Sequence, residues 1–463
     1  MKGMTIAAMT EACGGIYHGD SSIINNEIKS ITTDSRKADS GCLFVAIKGE
    51  RSDGHDYISD CFEAGALCCI SERELPQETR PYIQVKSSTK ALKDLARLYR
   101  AQLDITVVGV TGSVGKTSTK ETIAAVLSQK YKVLKTLGNF NNEIGLPLTI
   151  FRLREDDEIA VLEMGISNFG EMSRLTDIAK PDICVITNIG LCHLENLKTR
   201  DGILKAKTEI FEGMNPDGFA VLNGDDDKLV TVRDVYGKVP VFFGVENKNG
   251  VYADSIENLG LEGTSAVIHN LEGIDSVAVH IPVAGQHMIY NAMAAAVIGA
   301  KLGLTAQQIK DGIENIETIA GRNNIIKANG MIIIDDCYNA NPVSMKASID
   351  VVDTAKGRKI CILGDMFELG KDEKKLHYDV GQYLASKSID ILLTAGELSK
   401  NIAEGAADYI AANNPDSTLE IKSFDDKESL MDFAKELLRE GDNILVKASH
   451  GMKFSEIVEF LKR

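Results

Sequence analysis

The feature that most constrains this chain is a glycine-rich segment at residues 109–118, with the sequence Gly-Val-Thr-Gly-Ser-Val-Gly-Lys-Thr-Ser. The apolar run Ile-Thr-Val-Val at 105–108 precedes it, so we expect a buried strand to lead into the segment and a helix to begin near Lys116. Glycines let the backbone wrap closely around phosphate, and the first N–H groups of a helix point at it. Lys116 would neutralise β/γ-phosphate charge, and the Thr117 hydroxyl would bind Mg²⁺. The segment therefore predicts a site for ATP or a related nucleotide.

The segment is a short form of the phosphate loop. The longer pattern places a glycine five residues before Gly115, and that position is Val110. A glycine-rich turn before a helix is the alternative interpretation, but the strand, the glycines and the Lys-Thr pair together favour nucleotide binding. The predicted nucleotide contacts of this loop are Thr111, Gly112, Ser113, Val114, Gly115, Lys116, Thr117 and Ser118.

Length and composition narrow the class of protein. A chain of 463 residues exceeds one hydrophobic core and predicts about three domains. A net charge of −16 disfavours a nucleic-acid partner. No apolar run approaches the roughly 20 residues that span a bilayer, and the N-terminal stretch does not resemble a signal peptide. Nine cysteines without a Cys-x-x-Cys pair indicate reduced thiols, so we expect a cytoplasmic protein.

The distribution of apolar runs predicts an α/β protein of three domains. Residues 1–103 mix short strands and turns and end in an amphipathic helix over 89–103, which predicts a small α/β domain. Residues 104–319 alternate strands with helices, which predicts a mostly parallel, phosphate-loop ATPase-like sheet. Residues 320–463 repeat this alternation and predict a doubly wound, Rossmann-like domain. The predicted strands of the last two domains cover 105–108, 159–163, 183–187, 219–222, 239–243, 331–334, 360–363, 389–393 and 444–446.

Polar residues follow several of these strands. Glu163 ends the second central strand, Thr187 to Gly190 and then His193 follow the third, and Asn223 to Asp226 follow the fourth. Any one of them alone is better explained as a helix cap, loop histidine or turn. The carboxyl ends of parallel strands share one edge, where ligands collect, so together they favour metal and phosphate binding.

Two further segments carry polar residues beside helices. His287 and Asn291 are spaced i, i+4 and share a helix face that can grip a planar ring, although a polar helix start explains them as well. Residues 335–342 read Asp-Asp-Cys-Tyr-Asn-Ala-Asn-Pro directly after a predicted strand, and turn chemistry alone can produce such a composition.

These motifs together resemble the Mur ligase family over essentially the whole chain. The most specific string is Tyr338-Asn-Ala-Asn-Pro342, and the Asp-Asn-Pro-Arg string of the family member that adds the third peptide residue is missing. The other matching motifs are Thr33-Asp-Ser-Arg36, residues 41–49, Asp53-Gly-His55, residues 111–117, Asn141 to Thr149, Glu163-Met-Gly165, Asn188-Ile-Gly190, His193-Leu-Glu195, Ala206-Lys-Thr-Glu209, Gly321-Arg322, Ser344-Met345 and residues 363–370.

The resemblance implies an ATP-dependent, ADP-forming ligase that adds D-alanyl-D-alanine to UDP-N-acetylmuramoyl-tripeptide through an acyl phosphate, in cytoplasmic peptidoglycan precursor synthesis. It implies two Mg²⁺ ions, with Thr117 and Glu163 holding one and His193 helping to hold the other. Lys207 matches a lysine that relatives carry as a carbamate, although from sequence alone it is an ordinary solvated helix lysine. Lys116, Lys207 and His193 are therefore the implied catalytic residues.

The resemblance also implies substrate contacts in each domain. His287, Asn291, Arg322, Asp336 and Asn339 correspond to ATP contacts, the last three on a domain that closes over the nucleotide. The implied contacts for the UDP-muramoyl peptide are Ser35, Arg36, Lys48, Gly49, Asp53, His55, Asn141, Asn142 and Thr149. Those for D-alanyl-D-alanine are Tyr338, Asn339 and Asn341. The chain departs from the family at His450, where an arginine is usual, so the resemblance implies no contact there.

Three alternatives stay open. Folylpolyglutamate synthase shares the short phosphate loop, but it carries little chain before that loop, whereas more than 100 residues precede it here. Another Mur-type amino-acid ligase is the second alternative. A non-catalytic nucleotide switch is the third, and it would be expected to lose metal positions that this chain retains. We expect a monomer, and the sequence leaves open whether the third peptide residue is diaminopimelate or lysine.

Overall fold

The computed structural model describes residues 1–463 and contains three β-sheets with helices between their strands, which confirms the α/β class. By internal contacts the chain divides into two compact units. One unit combines Met1–Thr111, Tyr131–Cys184 and Thr208–Phe219, and the other combines Gly112–Lys130, Val185–Lys207 and Ala220–Arg463. No helix has both the length and the apolar character that crossing a membrane requires.

The first sheet has five short strands. They are β1 (Ile16–His18), β2 (Ser30–Thr32), β3 (Cys42–Val45), β4 (Cys68–Ser71) and β5 (Tyr82–Gln84), in the order β1-β5-β4-β3-β2. Strands β2 to β5 pair in parallel, and β1 is an antiparallel edge. The helices of this part are α1 (Ile6–Cys13), α2 (Ile58–Glu63) and α3 (Ser88–Arg100). Helix α3 confirms the predicted amphipathic helix and buries Leu92, Leu95 and Tyr99.

The second sheet has nine strands in the order β14-β13-β12-β11-β10-β9-β6-β8-β7. They are β6 (Thr106–Thr111), β7 (Val133–Lys135), β8 (Ile159–Glu163), β9 (Ile183–Ile186), β10 (Phe219–Asn223), β11 (Val241–Gly244), β12 (Val251–Asn258), β13 (Thr264–Leu271) and β14 (Ile274–Ile281). The associated helices are α4 (Lys116–Leu127), α5 (Gly145–Ile150), α6 (Glu171–Ala179), α7 (Leu194–Leu197), α8 (Arg200–Thr208), α9 (Met288–Lys301) and α10 (Ala306–Glu314).

The prediction of a mostly parallel second sheet is incomplete. Strands β12, β13 and β14 form an antiparallel extension that the strand-helix pattern does not contain. Residues alternate between buried and more exposed along much of β13, as expected when one face of an antiparallel sheet packs and the other meets solvent.

The third sheet has six strands in the order β15-β16-β20-β17-β18-β19. They are β15 (Asn324–Ala328), β16 (Met331–Asp335), β17 (Lys359–Gly364), β18 (Ile391–Ala395), β19 (Glu420–Phe424) and β20 (Asn443–Lys447). The helices are α11 (Pro342–Asp353), α12 (Glu373–Ala385), α13 (Lys400–Asn413), α14 (Lys427–Leu437) and α15 (Ser455–Leu461). All strands pair in parallel except the edge strand β15. Two apolar clusters pack here, one around Ile349 and Leu392 and the other around Ile444 and Phe454, in agreement with the predicted doubly wound domain.

Candidate active site

The phosphate loop joins β6 to α4 through two glycines with positive φ. Gly112 has φ +152°, and a Cβ there would lie 1.8 Å from the Thr187 hydroxyl oxygen, so only glycine fits. Gly115 has φ +82° and immediately precedes α4, which begins at Lys116 without a side-chain cap. The N–H groups at this helix start therefore suit an anion, as the sequence predicts.

Asn188 fixes the shape of the loop, a role that the sequence did not reveal. Its backbone carbonyl accepts from the Ser113 N–H (3.0 Å). Its side chain accepts from the Val114 N–H (2.9 Å) and donates to the Val114 carbonyl (3.0 Å). The Thr187 hydroxyl donates to the same carbonyl (2.6 Å). The sequence signals for Asn188 were its position after a parallel strand and its place in the Asn188-Ile-Gly190 motif, and neither specifies the partner.

Lys116, Thr117 and Arg322 lie around this loop. The Lys116 ammonium donates to the Gly112 carbonyl (2.9 Å), which holds the side chain across the loop. The Arg322 guanidinium donates to the Thr117 hydroxyl (3.3 Å), so a residue just before the third sheet reaches the start of α4. The structure thus brings together three of the predicted nucleotide residues, and their roles stay predictions.

Glu163 ends β8 and is 2% exposed. Its carboxylate accepts from the Asn141 amide (2.8 Å), and its N–H donates to the Thr136 hydroxyl (3.0 Å). Nearby, the Thr111 hydroxyl donates to the Met164 carbonyl (2.9 Å). Asn141 therefore orients the predicted metal ligand in this structure, and a contact of Asn141 with substrate stays a prediction.

His193 precedes α7 with φ +51°, a backbone conformation that is uncommon outside glycine. Its Nδ1 lies 2.7 Å from a carboxylate oxygen of Glu368, from the third-sheet part of the chain. This hydrogen bond lowers the pKa of the Glu368 carboxyl. No sequence signal connected these two residues.

Lys207 lies on α8 and is 1% exposed, which corrects the interpretation of a solvated helix lysine. Burial, and to a lesser degree the positive charge of Lys116, lowers the pKa of Lys207 to about 8, against an opposing effect of Cys192. A lysine with this pKa is partly a neutral amine near physiological pH. The helix period alone cannot show the burial, because it does not say which face of a short helix is covered.

The acidic pair after β10 has structural roles. Asp225 accepts from the Val245 and Asn247 N–H groups (2.6 and 2.7 Å) and from the Tyr290 hydroxyl (2.9 Å). Asp226 accepts from the Ile189 N–H (2.7 Å). The turn interpretation is therefore correct for this pair.

His287 and Asn291 occupy different environments. His287 is exposed, whereas Asn291 is 6% exposed. The Asn291 side-chain oxygen accepts from the Thr119 hydroxyl (2.8 Å), and its side-chain nitrogen donates to the Met288 sulfur (3.2 Å). Asn291 thus ties α9 to α4 in this structure, and a shared grip on adenine stays a prediction.

Beyond β16, a buried ion pair supports the loop with the most specific motif. Asp336 pairs with Lys447, and it also accepts from the Ser348 hydroxyl (2.5 Å) and the Asn323 N–H (3.1 Å). Lys447 donates in addition to the Asn339 carbonyl (3.1 Å). The Asp336 carboxylate is therefore engaged within the protein, while the Asn339 residue is exposed.

Tyr338 forms the centre of a small stack. The Arg322 guanidinium lies 4.1 Å from the Tyr338 ring centroid, and the His450 ring lies 5.5 Å from it on a tilted plane. His450 therefore has a packing role here.

Four predicted substrate contacts make structural hydrogen bonds within the chain, and their substrate roles stay predictions. His55 donates from Nδ1 to Asp53 (2.6 Å) and accepts at Nε2 from the Glu72 N–H (3.0 Å), so both ring nitrogens are used. Asn142 accepts from the Gly145 N–H (2.8 Å) at the start of α5. Thr149 is fully buried and donates to the Gly145 carbonyl (3.1 Å).

Asn341 is the fourth of these residues, and its predicted contact with D-alanyl-D-alanine stays a prediction. It is the N-cap of α11 and forms a capping box with Ser344. Short polar side chains of this kind serve caps and turns as readily as ligands, and sequence does not distinguish the two.

The remaining predicted contacts are exposed or half-buried. Arg36 forms a two-pronged pair with Asp34 (2.8 and 2.9 Å), and Lys48 and Gly49 are exposed, whereas Ser35 is half-buried. Asp53 pairs also with Arg73. Ser118 lies in the first turn of α4, where its carbonyl accepts from Thr122 (2.9 Å).

Comparison with known proteins gives three family matches along the chain. The Mur ligase family catalytic domain matches residues 27–100, the Mur ligase middle domain 110–299, and the Mur ligase glutamate ligase domain 321–450. The UDP-N-acetylmuramoyl-tripeptide--D-alanyl-D-alanine ligase of Bacillus subtilis (strain 168) is 39% identical over 94% of this chain and 93% of its own length. The chain belongs to the Mur ligase family, and it is an ATP-dependent, ADP-forming ligase.

Solved structures agree with this assignment. MurF from Acinetobacter baumannii superimposes with a TM-score of 0.89 at 31% identity and covers 99% of both chains. MurF ligase from Thermotoga maritima, solved in complex with ADP, gives a TM-score of 0.81 at 30% identity over 94% of this chain and 97% of that one. The chain thus has the three-domain Mur ligase fold.

Proposed function

We propose that this protein joins D-alanyl-D-alanine to UDP-N-acetylmuramoyl-tripeptide, with conversion of ATP to ADP and phosphate. The observation that carries the proposal is the preformed phosphate loop, with Lys116 held across it and Arg322 reaching Thr117. The names of the full-length relatives support the choice of substrates. With these substrates the protein would act in cytoplasmic peptidoglycan precursor synthesis, and we propose that it does so as a monomer.

The reaction has two steps. The terminal carboxylate of the tripeptide attacks the γ-phosphorus of ATP, and ADP leaves with the electrons of the broken P–O bond. The amine of D-alanyl-D-alanine then attacks the acyl carbon, loses a proton, and expels phosphate. Phosphoryl transfer depends mainly on positioning and charge stabilisation, which the helix N–H groups, Lys116 and Arg322 supply.

The residues present fit a bound magnesium. Mg²⁺ prefers hard oxygen ligands, and Glu163 offers a buried carboxylate that Asn141 holds in place. Thr117 and Glu163 would hold one ion, and His193 would help to hold a second. Bound Mg²⁺ offsets the repulsion between the attacking carboxylate and the triphosphate.

Lys207 is proposed to carry a carbamate. Its neutral amine would attack CO₂ and lose a proton, so a buried cation becomes a buried carboxylate that suits a metal. The support is its 1% exposure and the lowering of its pKa to about 8, because only the unprotonated amine reacts.

The three domains would divide the substrates among them. Residues 1–103 would bind the UDP-muramoyl peptide, with Ser35, Arg36, Lys48 and Gly49 accessible for contact. Residues 104–319 would bind ATP. Residues 320–463 would close over ATP and bind the dipeptide, which Tyr338 and Asn339 would contact.

The test is phosphate release by the purified protein with ATP and a panel of acceptors and amines. We expect release only when UDP-N-acetylmuramoyl-tripeptide and D-alanyl-D-alanine are both present, and loss of release in Lys116→Ala. Release with a folate and glutamate, or with a single amino acid as the amine, would replace the proposal by one of the other ligase activities. ATP binding without release in any mixture would favour a nucleotide switch.

A further inference from the structure

The segment 365–370, between β17 and α12, is anchored at several points. The His377 ring accepts from the Met366 N–H at Nε2 (2.8 Å), and the Ser449 hydroxyl accepts from the Phe367 N–H (2.9 Å). The side chains of Met366 and Leu369 are buried. The backbone on both sides of Glu368 is therefore held, while Glu368 itself projects with 62% of its side chain exposed.

The anchored segment meets the chain around His193 at two places. A carboxylate oxygen of Glu368 lies 2.7 Å from Nδ1 of His193. At Gly370, a Cβ would lie 3.7 Å from the backbone nitrogen of Glu195. Both Glu368 (φ +62°) and His193 (φ +51°) have the left-handed backbone that few non-glycine residues adopt. The two residues thus share an uncommon backbone conformation at a contact between segments that are distant in sequence.

A carboxylate on Nδ1 has a defined effect on an imidazole. It accepts the Nδ1 proton, so in the neutral ring the lone pair is on Nε2. Histidines that bind metals usually donate their other nitrogen to a carboxylate or carbonyl, which fixes the tautomer and the orientation of the ring. Glu368 stands in that relation to His193.

We propose that Glu368, a residue of the last domain, is a positioning residue for His193 in the metal site of the central domain. The inference rests on the proposed function, in which His193 helps to hold the second Mg²⁺. Movement of the last domain carries Glu368 away from His193 or toward it, so the second cation site is complete only when this domain is in place.

The chain offers a matched control for this pairing. Asp254 and His269 form a second carboxylate–histidine pair (2.9 Å) between β12 and β13. Neither residue has a proposed role in the reaction. Asp254→Ala removes a carboxylate from a histidine ring just as Glu368→Ala does.

The first measurement reports the His193 tautomer without metal or substrate. Nitrogen-15 NMR of histidine-labelled protein at pH 8, with His193→Gln to assign the resonance, should show the Nδ1–H form in the wild type. Glu368→Ala should lose this preference, Glu368→Gln should retain it through its amide oxygen, and Asp254→Ala should leave it unchanged. An unaltered His193 spectrum in Glu368→Ala would overturn the inference.

The second measurement is the Mg²⁺ concentration that gives half-maximal ligation. It should rise about tenfold or more in Glu368→Ala, with Glu368→Gln between this variant and wild type and Asp254→Ala equal to wild type. A wild-type Mg²⁺ requirement in Glu368→Ala would contradict the proposal. If the wild-type protein fails to ligate the proposed substrates, the proposed function is wrong, and the tautomer measurement still decides whether Glu368 positions His193.

Discussion

At the scale of single residues, the burial of Lys207 bears most directly on its proposed conversion to a carbamate. A lysine ammonium with 1% exposure loses the hydration that stabilises its charge, and the nearby charge of Lys116 opposes it as well. Conversion to a carbamate would replace the disfavoured cation by an anion that a metal can balance. The lowered pKa is thus what the proposed modification requires.

Lys207→Ala tests this directly. We expect kcat to fall by at least tenfold, which corresponds to about 1.4 kcal/mol of transition-state stabilisation, because the proposed carboxylate is lost. Added formate or acetate should restore part of the rate by entering the space left by the side chain. Lys205→Ala, an exposed lysine of the same helix, is the control. Near-normal turnover of Lys207→Ala would show that this lysine is only structural.

The burial of His377 leads to a prediction for how the stability of the protein depends on pH. It is fully buried, and its Nδ1 donates to the Glu373 carbonyl (2.7 Å) while Nε2 accepts from the Met366 N–H. Burial lowers the pKa of His377. As pH falls below about 6.5, the unfolded chain takes up a proton that the folded ring resists, so stability present above that pH is lost.

The melting temperature measured between pH 7.5 and pH 5 checks this sign. We expect His377→Asn to be less stable at pH 7.5 but to lose less stability on acidification than wild type. A single such group changes the unfolding free energy by at most about 1.4 kcal/mol per pH unit. Equal losses in both proteins would show that His377 does not contribute to acid sensitivity.

At the scale of elements, variants of Asn341 can distinguish a role in capping α11 from a role in binding substrate. Its side chain accepts from the Ser344 N–H (2.9 Å) at the start of α11. Asn341→Ala should lower the unfolding free energy by about 1 kcal/mol, and Asn341→Asp, which can still cap, should lower it less. Calorimetry and KM for D-alanyl-D-alanine measure the two effects. A normal melting temperature and a strongly raised KM in Asn341→Ala would show that Asn341 binds the substrate.

The largely buried parallel strands of the second and third sheets were predictable from sequence, whereas the parallel strands β7 and β19 and the antiparallel strands were not. Strands such as β8 and β20 are buried at every residue, so they appear in sequence as continuous apolar runs. Strands β12 to β14 and the edge strand β15 are only partly buried and contain polar residues. Their pairing depends on neighbouring strands, and this information is absent from a local window of sequence.

In the candidate site, likewise, the local features were predictable from sequence and the contacts between distant segments were not. The phosphate loop was predictable, because a strand, glycines and a helix start lie within ten residues of chain. The contacts of Asn188 with Val114 and of Glu368 with His193 join distant segments, and no local pattern contains them. Structural contacts of polar residues such as His55 could not be predicted, because the same side chain can bind the protein's own backbone or a ligand.

At the scale of the whole molecule, the distribution of proposed contacts requires motion. Residues for one reaction come from three domains, and an acyl phosphate must be kept from water. We predict closure of the last domain about residues 320–321, where Gly321 has φ +77°. Small-angle scattering should show a smaller radius of gyration when ATP and the uridine substrate are both saturating. No change on adding both ligands would contradict a hinge there, unless the ligand-free protein already has the smaller radius.

The central claim is that the tripeptide carboxylate is activated as an acyl phosphate and then captured by D-alanyl-D-alanine. The most direct test uses UDP-N-acetylmuramoyl-tripeptide with both oxygens of its terminal carboxylate replaced by ¹⁸O, and mass spectrometry of the products. The account predicts that one ¹⁸O appears in the released phosphate and the other in the new amide, with one ADP formed for each bond. Unlabelled phosphate, or no ligated product in the presence of all three substrates, would contradict it.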